Sequence, residues 1–182
     1  MLAGVGLGMK LLKSVALAIC LAAPAIELGG CAGPSALESQ TRQRDTRMAR
    51  MYFLRESRLV AMYGSVAGVD IKVDGRPVGR VIGGTYFFID RPPGTYKLSA
   101  GTSMSIDYEA ETKVEAGQSY YFGIGTPQGG PPGQNALNQL VGGSRGQQMR
   151  GTSPIMSGFA GAALYQLDAA TGAATIGELK AQ

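Results

Sequence analysis

The sequence contains no histidine and no tryptophan, and its two cysteines, Cys20 and Cys31, both lie in an apolar N-terminal stretch. These absences exclude a histidine-based catalytic triad, a histidine-ligated metal ion and a free catalytic thiol from the rest of the chain. We therefore expect a protein that is not an enzyme and that uses no cofactor. A calcium ion needs six or more oxygen ligands, which no Asp-rich loop supplies, so no metal ion is expected either.

Charged residues are also scarce, at 16% of the 182 residues, and the formal net charge is only +4. A charge this small does not indicate a nucleic-acid partner. The 28 glycines and 9 prolines favour many tight turns, while a hydrophobic content of 45% argues against global disorder. The length suits one β-rich domain with a substantial core.

A long hydrophobic run is missing as well. The apolar residues 15–23 continue for about nine positions, against the roughly twenty that a transmembrane helix needs, and Pro24 ends the run. Met9 is the better of two possible starts, because Lys10 and Lys13 then form the basic beginning of a signal peptide. The N-terminus therefore predicts an exported chain without a membrane-spanning helix.

Small residues precede the second cysteine. The motif Leu28-Gly29-Gly30-Cys31 resembles the cleavage site of bacterial lipoprotein signal peptides. The resemblance implies cleavage before Cys31 and acylation of its thiol, so that Cys31 is the predicted lipidation site. Ala32 follows the cysteine, and by the same resemblance it favours the outer membrane over the inner membrane.

The composition divides the chain into three parts. Residues 1–30 form the predicted lipoprotein signal peptide, and the polar, arginine-rich residues 31–50 are predicted to be a flexible, lipid-anchored tether. Residues 51–182 are predicted to form the folded domain, with a long Gly/Pro-rich loop at 126–154.

Residues 69–100 have the pattern of a β-meander, in which short apolar runs are separated by glycine- and proline-rich turns. Apolar and charged residues alternate over 69–73, which predicts a strand with one buried face. The run at 85–89 is apolar on both faces and favours the central strand of a sandwich. One or two further strands are predicted over 51–63.

Turn residues in this stretch predict how its strands are joined. A four-residue loop is predicted at 74–77, because it keeps Pro77 out of the strand ladder, whereas a two-residue Asp-Gly turn would place Pro77 opposite Lys72. The Gly-Gly pair at 83–84 predicts a tight hairpin. The Pro-Pro-Gly sequence before Thr95 predicts a type II turn with a positive φ at Gly94.

Residues 104–115 show the cleanest alternation in the chain. The even positions, such as Ile106, are predicted to face the core, and the odd positions include three carboxylates spaced by two residues, Asp107, Glu109 and Glu111. Two carboxyl groups about 5 to 9 Å apart can catalyse glycoside hydrolysis, so a periplasmic hydrolase is an alternative function. A solvated sheet face, balanced by lysines or arginines of neighbouring strands, explains the same pattern, and we favour it.

The C-terminal third is less regular. Aromatic residues at 120–124 predict a strand whose rings pack in the core and at its rim. The loop at 126–154 lacks the glycine spacing of a phosphate loop. Its length and composition predict a mobile loop or lid, with one helical turn at 135–141. A last strand is predicted over 155–167, followed by a weak strand or frayed end over 168–182.

Residues 59–125 resemble an uncharacterised family of bacterial lipoprotein domains that carries a number and no name. The likeness rests on V-D-G-x-P-V-G at 73–79, P-P-G-T-Y at 92–96 and G-x-x-Y-Y at 117–121. The Pro-Gly-Thr turn is also similar to that of PEGA-type surface modules. The resemblance implies a small β-sandwich in the cell envelope, and it carries no catalytic residues.

These observations predict an all-β protein, a small antiparallel β-sandwich of about seven or eight strands behind a signal peptide and a flexible tether. We expect a lipid-anchored, non-catalytic structural or binding module of the cell envelope, in the outer membrane and facing the periplasm. Its expected partners are the membrane, through Cys31, and an envelope protein or peptidoglycan, with no nucleic acid.

Overall fold

The computed structural model describes residues 36–57, 68–103, 105–129, 132–152 and 160–182. The predicted signal peptide, Cys31 and the apolar residues 59–63 lie outside these ranges. Within them the chain forms ten strands and two helices: β1 Ala49–Arg55, β2 Val69–Val73, β3 Arg76–Val81, β4 Thr85–Arg91, β5 Gly94–Gly101, β6 Tyr108–Val114, β7 Ser119–Gly125, α1 Pro132–Gly142, β8 Gln147–Gln148, β9 Ala163–Leu167, α2 Ala169–Gly177 and β10 Lys180–Ala181.

The strands form two sheets packed around one core, which confirms the predicted all-β sandwich. One sheet has the order β3-β2-β5-β6 and is antiparallel throughout. The other has the order β10-β4-β1-β7-β9-β8 and is mixed, since β1 pairs with β7 and β10 pairs with β4 in parallel. These two parallel pairs depart from the antiparallel arrangement that was expected.

The core follows the period-two alternation of the strands. Phe53 on β1 is fully buried and stacks on Phe87 of β4 and Phe122 of β7, at ring-centroid distances of 5.3 and 5.5 Å. Ile71 and Leu98 of the smaller sheet are also fully buried and belong to the same apolar cluster. Burial of these side chains from both sheets is the main force that holds the layers together.

The turn between β2 and β3 is shorter than predicted. Asp74 and Gly75 form a two-residue turn with φ angles of +50° and +76°, and Lys72 does lie opposite Pro77. A register shift after Ile71 leaves one extra residue on β3. Pro77 has no backbone N–H to donate to the strand ladder. The structure tolerates this because β3 is an edge strand with a bulge at this position.

The two glycine-containing turns that follow do not form hairpins. β3 belongs to the smaller sheet and β4 to the larger one, so the chain crosses between sheets at Gly84, whose φ is +82°. It crosses back at residues 92–93, because β5 lies in the smaller sheet again. Gly94 is the first residue of β5 and is not among the positive-φ glycines, so the predicted type II turn is wrong.

Residues 36–48 are attached to the sandwich and do not form a free tether. Ala36 forms a β-bridge with Gly79 of β3. The side-chain amide of Gln40 accepts a hydrogen bond from the Phe88 N–H at 2.7 Å and donates one to the Phe88 carbonyl at 3.0 Å. The segment therefore covers backbone groups of β3 in one sheet and of β4 in the other.

The predicted loop at 126–154 contains regular structure. Helix α1 extends the single turn expected at 135–141 to eleven residues, and β8 pairs with β9. The strand predicted over 155–167 corresponds to β9, which begins only at Ala163. Residues 153–159 lie outside the described part of the chain.

The C-terminal tail is a helix followed by a short strand, not the weak strand or frayed end that was predicted. Asp168 caps α2, its carboxylate accepting a hydrogen bond from the Thr171 N–H at 2.9 Å, which lowers the pKa of Asp168. Gly172 lies so close to the ring of Tyr121 that a Cβ atom would come within 2.2 Å of it. An aspartate cap followed by alanines is a local helix signal that the sequence analysis missed.

Candidate binding cleft beside the carboxylate strand

Strand β6 presents one buried and one solvated face, as its alternation predicted. Tyr108, Ala110, Thr112 and Val114 are buried, whereas Glu111 and Lys113 are exposed and Glu109 is half-buried. The strand begins at Tyr108 and not at residue 104. Ile106 therefore precedes it and is 41% exposed, which contradicts its predicted place in the core.

Two of the three candidate carboxylates form ion pairs with lysines of the same sheet. Lys72 Nζ of β2 lies 2.7 Å from Asp107 Oδ2, and Lys97 Nζ of β5 lies 2.6 Å from Glu109 Oε2. The hydrogen bond to Asp107 raises the pKa of Lys72. Lysines of the same sheet, one from the adjacent strand β5 and one from β2 beyond it, thus balance the carboxylates, as the solvated-face interpretation expects.

This arrangement does not favour acid–base catalysis by Asp107 and Glu109. A carboxyl group that acts as a general acid near neutral pH is kept protonated by apolar surroundings or by a second carboxylate. Each of these two groups instead contacts an ammonium group on a partly exposed sheet face. Among the described residues, no group of three or more Asp, Glu, His or Cys side chains is placed to hold a metal ion.

The third carboxylate, Glu111, borders an open cleft at the edge of β6. The cleft has a volume of about 700 Å³. Its lining includes Tyr108, Glu111, Gln128, Gln148, Arg150 and Thr152. No local sequence pattern connects Glu111 with a residue of the 126–154 stretch.

One wall of the cleft is a segment that joins the two sheets. It starts at β8 in the larger sheet, where the Met149 N–H donates to the Leu164 carbonyl at 2.8 Å. It then reaches β6 in the smaller sheet, where Gly151 forms a bridge with Ala110 and the Thr152 N–H donates to the Glu109 carbonyl at 2.9 Å. These bonds place Arg150 beside the exposed face of β6.

A hydrogen-bonded chain of side chains forms the floor. The Tyr108 hydroxyl donates to the Met149 carbonyl and accepts from Gln148 Nε2 at 3.2 Å. Gln148 Oε1 accepts from the Gln128 N–H at 2.6 Å. Because Tyr108 is only 2% exposed and both ends of the Gln148 amide are engaged, the floor is held in one arrangement.

Two charged side chains at the cleft remain available. Glu111 and Arg150 are both exposed, and neither forms an ion pair or side-chain hydrogen bond with another residue that the structure describes. A carboxylate accepts hydrogen bonds from ammonium or amide N–H groups, and a guanidinium donates two parallel bonds to a carboxylate. The cleft is therefore suited to a polar ligand that carries both kinds of group.

Strands β1 to β7 and part of the cleft lie within a recognised domain. Residues 45–134 match the family described as protein of unknown function (DUF2846). The match confirms the expected likeness to a numbered, uncharacterised family and extends beyond the predicted 59–125. No curated protein matches the chain. The DUF2846 match includes Glu111 and ends before Gln148 and Arg150, so the cleft is built partly from residues outside the matched range.

Neither of the two described helices, α1 and α2, has the length and apolar character that crossing a bilayer requires.

Proposed function

We propose that this protein is a lipid-anchored lipoprotein of the cell envelope whose β-sandwich is a non-catalytic binding module. The observation that carries the binding function is the cleft at β6, where Glu111 and Arg150 are exposed and unpaired while Asp107 and Glu109 are occupied by lysines. The motif that ends at Cys31 supports the anchor, and Ala32 supports the outer membrane, with the domain facing the periplasm.

The anchor acts through buried hydrocarbon. Each buried CH₂ group of an acyl chain contributes about 0.8 kcal/mol, and stable attachment takes two membrane signals. A cysteine that carries a diacylglyceryl group and an N-terminal acyl chain supplies more than this. The similarity of the Pro-Gly-Thr motif at 93–95 to that of PEGA-type modules also supports an envelope location.

The cleft would act by charge pairing with its ligand. Arg150 would bind a carboxylate, Glu111 would bind an ammonium or amide group, and the fixed floor of Tyr108 and Gln148 would orient the ligand between them. The peptide stems of peptidoglycan and the exposed loops of an envelope protein both carry such groups.

Cys31→Ser is expected to abolish palmitate incorporation and to release the protein from the membrane fraction, since without the thiol no diacylglyceryl group is attached. Labelling cells with radioactive palmitate and fractionating them measures both effects. Cys20→Ser is the matched control and should be labelled and membrane-bound like the wild type. Equal labelling of the Cys31→Ser variant would contradict the proposed anchor.

Glu111→Gln and Arg150→Gln are expected to reduce capture by the ligand about tenfold each, since a lost charge-assisted hydrogen bond costs about 1.5 kcal/mol. The measurement is co-sedimentation with purified peptidoglycan, with a pull-down from detergent-solubilised envelopes in parallel. Lys113→Gln, an exposed change on the same strand outside the cleft lining, is the control. Unchanged capture by both cleft variants in both assays would contradict the binding role of the cleft.

A further inference from the structure

We infer that the sandwich rests directly on the lipid surface through the edge formed by β3 and residues 36–37, instead of extending from the membrane on a long tether. The inference rests on the proposed acylation of Cys31. It adds the orientation of the domain and a contact surface for the membrane.

The chain becomes attached to the domain at residues 36–37. The Leu37 N–H donates to the Val78 carbonyl at 3.2 Å, and Ala36 forms its bridge with Gly79. Glu38 is bound on both sides, 2.6 Å from Arg42 Nη2 and 2.8 Å from Arg91 Nη2. The twenty residues expected to be a tether thus become domain surface from Ala36 onward.

The linker between Cys31 and Ala36 is short. Five Cα–Cα steps separate Cys31 from Ala36, and at 3.8 Å each they span at most about 19 Å. A domain of this length has a radius of gyration of roughly 15 Å, so its full width exceeds the linker. An acylated Cys31 lies at the level of the lipid head groups, and the surface around Ala36 must then be the surface nearest to the membrane.

The surface around Ala36 carries an exposed apolar side chain and an exposed basic side chain. Leu37 is 66% exposed although its backbone is fixed to β3. Arg76 and Pro77 of β3 are exposed beside it, and the Arg76 side chain pairs with no carboxylate among the described residues. A leucine can enter the interface between head groups and acyl chains, and a guanidinium binds lipid phosphate. Because Glu38 is neutralised by Arg42 and Arg91, it offers these phosphates little repulsion.

The test compares two leucines of equal exposure at different places on the domain. Leu37 on the β3 edge is 66% exposed and Leu140 on α1 is 67% exposed. Each is replaced by cysteine in the full, processed lipoprotein, labelled with an environment-sensitive fluorophore, and placed in phosphatidylethanolamine–phosphatidylglycerol vesicles that contain a nitroxide-labelled lipid. Acylation occupies the Cys31 thiol, so only the new cysteine is labelled.

We expect the lipid nitroxide to quench the fluorophore at position 37 at least about twice as strongly as the fluorophore at position 140. The reason is that only position 37 lies at the bilayer interface. Equal quenching, or stronger quenching at position 140, would overturn the inference even if palmitate labelling shows that the anchor is present. Absence of palmitate from the same preparations would overturn the anchor and this inference together. The two failures are therefore distinguishable.

Discussion

Asp90→Ala is expected to lower the free energy of unfolding by about 3 to 5 kcal/mol. Asp90 and Arg50 face each other on β4 and β1, and they form two parallel hydrogen bonds of 2.8 and 2.9 Å. Asp90 is 5% exposed and Arg50 is 8% exposed. Removal of the carboxylate would leave the buried guanidinium without a counter-charge, and this accounts for the size of the expected loss.

The surroundings of Arg50 make the loss of Asp90 costly. Its guanidinium lies 3.9 Å from the centre of the Phe88 ring, and its hydrogen bond with Asp90 raises the pKa of Arg50. Because a guanidinium group stays protonated in proteins, Arg50 remains charged at ordinary pH when Asp90 is removed. It must either remain buried as an unpaired charge or move and disturb the packing on Phe88.

The chain offers a matched control in Asp70 and Arg80. They also face each other on adjacent strands and form two hydrogen bonds, of 2.6 and 2.8 Å, but both side chains are well exposed. Exposed pairs of this kind contribute about 0 to 1 kcal/mol, so Asp70→Ala should have a small effect. Urea unfolding at neutral pH measures both variants, and equal losses for Asp90→Ala and Asp70→Ala would show that burial of the Arg50 pair is not the deciding factor.

The double variant Arg50→Met, Asp90→Leu tests the mechanism further. It replaces the buried pair by apolar side chains of similar size, and most of the stability lost in Asp90→Ala should return. If the double variant is as unstable as Asp90→Ala, the loss arises from the space left by the side chain and not from the unpaired charge.

Phe53→Ala is also expected to lower the free energy of unfolding by about 3 to 5 kcal/mol, from lost transfer energy and the cavity left behind. Phe53 is fully buried at the middle of β1 and stacks on Phe87 and Phe122 of the two adjacent strands. No single neighbour can fill the space, because the strands on both sides are fixed by backbone pairing.

Tyr52→Ala is the control for Phe53→Ala, since Tyr52 is the next residue on the opposite face of the same strand. Its ring stacks on Tyr121 at 5.0 Å and is half-buried, so its removal should cost about 1 to 2 kcal/mol. Chemical unfolding of both variants, with comparison of the denaturant slopes, is the measurement. A larger loss from Tyr52→Ala would place the main core on the other face of the larger sheet.

Local alternation predicted the faces of the strands correctly. On β6 the buried and solvated positions follow the even and odd numbers from Tyr108 to Val114, because a strand places successive side chains on opposite faces whatever its partners are. The same rule failed at Ile106, which precedes β6, forms only an isolated bridge with Ala160 and is exposed. Alternation describes a face only within a continuous strand ladder.

Turn chemistry predicted where the chain bends but not which sheet it enters next. The glycines near residue 84 and the prolines at 92–93 do mark turns, yet each turn carries the chain from one sheet to the other. At residues 74–75 the expected exclusion of Pro77 was overruled, because an edge strand with a bulge can dispense with one donor. Such choices depend on neighbours that are distant in sequence.

The sequence by itself determined the all-β class, the alternating face of β6, the absence of histidine chemistry and the motif at Cys31, since each depends on composition or on residues only a few positions apart. The tertiary structure decided the parallel pairing of β1 with β7, the attachment of residues 36–48 and the meeting of Glu111 with Arg150 at one cleft. These features join residues that are separated by tens of positions. Contacts over that distance are selected by the packing of the whole core, which no local pattern contains.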